Sequence, residues 1–193
     1  MTPENLTRRK ILLSSLLLSL AAGGATTVSA AAKLAEGRML VAYFSRSGNT
    51  RVVAGRVSLA LGADLFEIEP RDPYPVDYFE TVQQAKSETE RGFEPPLKAM
   101  VPGFAQYTTV FLGFPIWGMT APPVIRSFLA GHDLAEKTII PLVTHGGFGL
   151  GDSLEVVSRH APNATRVDGF SMQAPQERQT IEKVTKWLDV LER

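Results

Sequence analysis

The chain contains no cysteine. That absence excludes thiol catalysis, disulfides, a lipid-modified N-terminal cysteine and cysteine-ligated iron–sulfur clusters. It is compatible with an oxidising compartment without requiring one. Surplus charge is also lacking: 20 basic and 20 acidic side chains cancel. A balanced chain argues against nucleic acid as a partner and offers no polybasic patch to a membrane. Histidine is scarce, with only His132, His145 and His160. No nucleophile–base triad or carboxylate pair stands out, so no catalytic residue and no metal site is assigned. At 193 residues the chain suits one domain with a full core.

What is present begins with a segment that does not read as part of the fold. Arg8-Arg9-Lys10 precede a moderately apolar run, Ile11 to Ala22, and a small-residue stretch ending Val28-Ser29-Ala30-Ala31-Ala32. This is the pattern of a secretory signal peptide, expected over residues 1–32, with cleavage after Ala30 or Ala32. Thr7-Arg8-Arg9-Lys10-Ile11-Leu12 resembles the twin-arginine export signal, whose pathway carries folded proteins. The competing reading is an uncleaved anchor, which Gly23-Gly24 and Thr26-Thr27 disfavour as a helix. Without Glu4, Arg8, Arg9 and Lys10, 17 basic and 19 acidic side chains remain. The expected location is the periplasm.

Residues 38–193 then alternate strand-like and helix-like segments. Strands are expected at about Arg38–Ser45, Ala63–Glu69, Thr109–Phe114, Thr138–Thr144 and, more weakly, Thr165–Met172. Helices are expected at Thr50–Leu61, Tyr78–Arg91, Val124–Ala130, Asp152–His160 and Gln176–Leu191. The last carries Ile181, Val184, Trp187, Leu188 and Leu191 on one face. Strands that are apolar along their whole length are buried on both faces, as in a parallel sheet between two helix layers. The expected fold is therefore a doubly wound, three-layer α/β/α domain, whose ligands bind beyond the carboxyl ends of the strands.

Three loops lie on that edge. Ser45-Arg46-Ser47-Gly48-Asn49-Thr50 joins the first strand to a helix start, where free N–H groups and the helix dipole suit a phosphate. Its other reading is an N-capped turn with Asn49 or Ser47 as cap. Pro115-Ile116-Trp117-Gly118 follows the third strand and offers an aromatic ring. Thr144-His145-Gly146-Gly147-Phe148-Gly149 ends the fourth strand and lets a flat ligand approach backbone closely. The first turn lacks both G-x-G-x-x-G and G-x-x-x-x-G-K-[ST], the dinucleotide and triphosphate fingerprints.

Tyr43-Phe44-Ser45-Arg46-Ser47-Gly48-Asn49-Thr50, Phe114-Pro115-Ile116-Trp117, Thr144-His145-Gly146-Gly147 and Tyr74-Pro75-Val76-Asp77-Tyr78 together resemble the flavodoxin-like superfamily, in its branch with a Ser-Gly-Asn-Thr phosphate loop. The resemblance spans Met39 to Leu191. It implies the sheet order 2-1-3-4-5 and a noncovalently bound FMN, with phosphate on residues 45–50 and the ring near the other two loops. It also implies that Gly118 allows a backbone peptide to hydrogen-bond flavin N5.

Several residues keep two readings. Trp117 is a rim aromatic or stacks on the ring. His145 donates to the flavin pyrimidine or orders its own loop. Tyr74 and Tyr78 cover a ligand or pack their proline-rich loop. Arg46 and Arg51 assist the phosphate or are solvated, and His132 and His160 are expected to cap helices or face solvent. The leading expectation is an exported flavodoxin-type electron carrier, serving a redox partner protein or a small-molecule acceptor and meeting a membrane only through its signal. The alternatives are an FMN-dependent reductase oxidising a nicotinamide and reducing a quinone-type acceptor, or a non-redox binding protein that kept the fold.

Overall fold

A computed structural model describes residues 37–174 and 177–191. The expected signal segment lies outside the described residues. The elements follow in chain order: β1 (Arg38–Tyr43), α1 (Asn49–Leu61), β2 (Asp64–Glu67), α2 (Tyr78–Glu90), β3 (Tyr107–Pro115), α3 (Pro123–Gly131), β4 (Thr138–His145), α4 (Ser153–His160), β5 (Thr165–Arg166), β6 (Phe170–Gln173) and α5 (Glu177–Leu191). All strand pairings are parallel, in the order β2-β1-β3-β4, with β5 and β6 together filling the fifth position. The expected order 2-1-3-4-5 is the observed one.

The two-residue period of a strand sends alternate side chains to opposite faces. Leu40, Ala42 and Phe44 of the first strand and its end join Val110, Leu112, Phe114, Ile139 and Val143 in a core beneath α3 and α4. Val41, Tyr43, Phe111, Ile140 and Leu142 meet Val53 and Val57 of α1 and Val184 and Leu188 of α5 on the other face. Trp187 is half-buried there against Phe111 and Phe170. Leu65 is 49% exposed on β2, the sheet's edge strand.

The fifth strand is broken at 167–169, where one continuous run was expected. Val167 N–H donates to the Ile139 carbonyl at 3.0 Å, so odd-numbered residues of β4 turn their backbone toward this strand. Pro141 is the next of them and has no N–H to offer. Gly169 fills the gap: a Cβ there would stand 1.9 Å from the Pro141 carbonyl oxygen.

At the amino edge of the sheet His132 is buried between Phe104 and Phe128, with ring centroids 4.5 and 4.3 Å away. Val101 N–H donates to its Nε2 at 3.1 Å, so the proton sits on Nδ1 and goes to the Phe128 carbonyl at 2.8 Å. His160 makes the same i−4 contact to Val156, so both histidines cap their helices as expected. Burial pushes the His132 pKa below its ordinary 6.5, opposed by the Phe128 hydrogen bond. A folded state that resists protonation binds fewer protons than the unfolded chain, so stability falls as pH drops through the window below about 6.5. Urea unfolding at pH 7.5 and 5 should show that loss, and His132→Gln should shrink it.

Candidate functional site

The turn after β1 starts α1 without a side-chain cap. Gly48 is the N-cap residue in the left-handed region, at φ 89°, where a side chain would be strained. Neither Asn49 nor Ser47 caps the helix; Asn49 Nδ2 instead donates to Ser47 Oγ at 3.1 Å. The first N–H groups of α1 therefore stay available at the carboxyl edge. Thr50 and Thr144 are buried, their hydroxyl oxygens 2.9 Å apart. That bond fastens α1 to the end of β4 and leaves one of the two hydroxyl protons for another acceptor.

Ser45 Oγ is different. It is buried and without a hydrogen-bond partner, the sole such side-chain atom of the 45–50 turn. An orphaned buried hydroxyl is costly unless something absent from the chain itself completes it. Ser45 lies in the turn that leads into the open N-terminus of α1 but does not itself line the cavity described below; an anion with several acceptor oxygens is a partner that would complete its hydroxyl.

The β3 loop closes tightly. Trp117 and Thr120 exchange backbone hydrogen bonds of 3.0 and 3.1 Å across Gly118 (φ 56°) and Met119 (φ 67°), a type I′ turn. Ile116 N–H donates to the Thr144 carbonyl at 2.8 Å, and Asp152 N–H to the Met119 carbonyl at 3.0 Å. The β3 and β4 loops are thus tied into one surface. Trp117 meets Phe44 and Tyr74 at near-perpendicular ring angles, with centroids 5.2 and 4.9 Å apart.

Between these parts lies a cavity of about 620 Å³. Arg46, Ser47, Pro115, Ile116, Trp117, Gly118 and Gly146 line it, so residues from all three expected loops converge. The rest of the third loop does not reach it. His145 Nδ1 accepts from Gly147 N–H at 3.2 Å, the loop-ordering role, while Phe148 is 85% exposed and Gly147 and Gly149 stand outside the cavity wall. Arg51 pairs with Glu67 on the edge strand. Arg46 donates to the Val76 carbonyl at 2.8 Å and lies over the Tyr78 ring, tying the start of α2 to the 45–50 turn.

The remaining wall is the inner face of α2, a helix expected from the sequence but not as part of the site. Tyr78, Thr81, Val82, Ala85 and Thr89 recur at helical spacing and face the cavity. Asp77 caps this helix by accepting from Glu80 N–H at 2.9 Å. The recurrence of Thr81, Ala85 and Thr89 at every fourth position was the available signal for this face. Glu88 turns away from the cavity and is buried. It accepts from Tyr74 Oη at 2.9 Å and from Gln84 Nε2 at 2.8 Å. Burial, then Glu88, raise the Tyr74 pKa, so Tyr74 stays a phenol donor.

A family model described as Flavodoxin matches residues 38–191. The chain belongs to the flavodoxin family. A proposed flavoprotein from Bacteroides eggerthii is 31% identical, with 82% of this chain and 99% of that one aligned at a TM-score of 0.69. Another, from Bacteroides uniformis, is 29% identical over 79% and 98% at 0.70. A Lactobacillus acidophilus flavoprotein solved in complex with FMN shares the fold at 17% identity, 79% and 99% coverage and a TM-score of 0.65. The comparison with curated proteins returned no match.

Proposed function

We propose that this flavodoxin-family protein binds FMN at the carboxyl edge of its sheet and serves as an electron-transfer protein outside the cytoplasm. The carrying observation is the orphaned Ser45 hydroxyl beside the open N-terminus of α1. Ser45, Ser47 and the backbone of Gly48 to Thr50 would hold the phosphate. Pro115 to Gly118, Gly146 and the inner face of α2 would hold the ring. Bound FMN supplies reversible electron uptake, while the chain sets access and polarity around it. No side chain of the site is required to act as an acid or nucleophile.

Trp117 lines the cavity with its ring set by two aromatic neighbours. Trp117→Ala should weaken FMN binding by about 1–3 kcal/mol, read by fluorescence titration. Unchanged affinity would return Trp117 to a purely packing role.

A second reading, an FMN-dependent reductase, is favoured by the length of the cavity wall. It follows α2 from Tyr78 to Glu90, about 18 Å at 1.5 Å per residue, which leaves room for a small second substrate. Rapid bleaching of the flavin by NADH or NADPH with turnover of a quinone selects this reading. Stable colour under both nicotinamides selects the carrier. Colourless protein that ignores added FMN defeats both and leaves the non-redox binding protein.

The export proposal rests on Arg8-Arg9 and the small-residue stretch to Ala32. A noncovalent flavin is acquired where it is made, so folding before export is the consistent route. Replacing both arginines with lysine should leave precursor in the cytoplasm; normal secretion of that variant excludes the twin-arginine pathway.

A further inference from the structure

Glu88 is a buried carboxyl group whose two hydrogen-bond partners, Tyr74 and Gln84, are neutral. Burying such a group is costly, and a smaller or apolar residue would pack beneath α2 at less expense. What the position gains is a fixed Tyr74. Tyr74 reaches from the loop before α2 to the Trp117 ring at 4.9 Å and the Phe44 ring at 5.9 Å. Phe44 immediately precedes Ser45, and Phe44 and Trp117 are themselves 5.2 Å apart. Three rings from three segments therefore meet behind the cavity, and the hydroxyl of the middle one is held between Glu88, to which it donates, and the Val124 backbone N–H, from which it accepts.

We propose that Glu88 is a positioning residue for the flavin site, acting through Tyr74 to orient Trp117 and to hold the underside of α2 at a fixed distance from it. The proposal rests on the FMN reading for its consequence and on the ring geometry for its mechanism. Tyr74 without its hydroxyl keeps its bulk but is free to swing. Trp117 then samples several edge contacts instead of one, and the cavity wall loses a defined shape.

The test uses Tyr74→Phe, Glu88→Ala and Glu88→Gln in the full chain, with Trp187→Phe as a background that leaves Trp117 the only tryptophan. Tyr74→Phe and Glu88→Ala should change the tryptophan band in near-ultraviolet circular dichroism before any FMN is added. They should raise the FMN Kd about fivefold, the size of one lost hydrogen bond, and shift the midpoint potential of the bound flavin. Glu88→Gln keeps an acceptor for Tyr74 and should restore band, affinity and potential. A wild-type band and affinity in Tyr74→Phe, or a Glu88→Gln as impaired as Glu88→Ala, overturns the proposal. A lower melting temperature without those changes means Glu88 is merely structural and overturns it as well. If the unmodified protein fails to bind FMN, the cofactor reading falls, and the dichroism comparison still decides whether Glu88 orients Trp117.

Discussion

Ser45→Ala is expected to weaken FMN binding by about 1.5–3 kcal/mol while leaving the ligand-free protein at least as stable as wild type. The two signs come from one atom. In the ligand-free chain Ser45 Oγ is buried with no partner, so it contributes an unsatisfied donor. Removing it relieves that cost, and unfolding in urea should show a gain of up to about 1 kcal/mol. On the proposed binding mode the same hydroxyl would make a charge-assisted hydrogen bond to the phosphate, of the strength quoted above. A serine that simply packed the strand end would show neither effect. A serine that stabilised the turn would lose stability on replacement, the opposite of what is expected here.

Gly151→Ala should give the largest loss of stability. A Cβ at Gly151 would lie 1.7 Å from the Met119 carbonyl oxygen and 2.5 Å from its carbon, and the backbone angle of 54° lies in the left-handed region. Overpacking costs about 1–3 kcal/mol and the left-handed conformation a further 1–2 kcal/mol or so. The same collision pushes on the Trp117–Thr120 turn, whose Met119 carbonyl also accepts from Asp152. Loss of FMN affinity should therefore accompany loss of stability. Gly146→Ala is the contrast: its Cβ meets nothing within 4 Å, and Gly146 lines the cavity. That variant should keep its stability and lose affinity alone.

The layering of the sheet was legible because β1, β3 and β4 are apolar along their length, and only a strand covered on both faces tolerates that. Topology then did what local sequence could not: it brought residues 46–47, 115–118 and 146 to one cavity. The parts that escaped share a physical cause. Thr50 and Thr144 read as members of two separate loops, yet they meet across 94 positions and bond to each other. Tyr78–Glu90 reads as a polar helix because Thr81, Ala85 and Thr89 on its cavity side give no strong apolar stripe, and nothing near Glu88 in the chain marks it as buried. His145 sits beside Gly146 in the chain, but only Gly146 turns into the cavity. The break in the fifth strand traces to Pro141 in a different strand, so no window around Val167 contains its cause.

The central claim is that residues 45–50 hold the phosphate of a flavin nucleotide. Calorimetric titration of the protein with FMN and with riboflavin, which differ only by that phosphate, tests it most directly. Two or more charge-assisted hydrogen bonds at about 1.5–3 kcal/mol each should separate the two ligands by about a hundredfold or more in favour of FMN. Riboflavin and FMN binding with equal affinity would contradict the account.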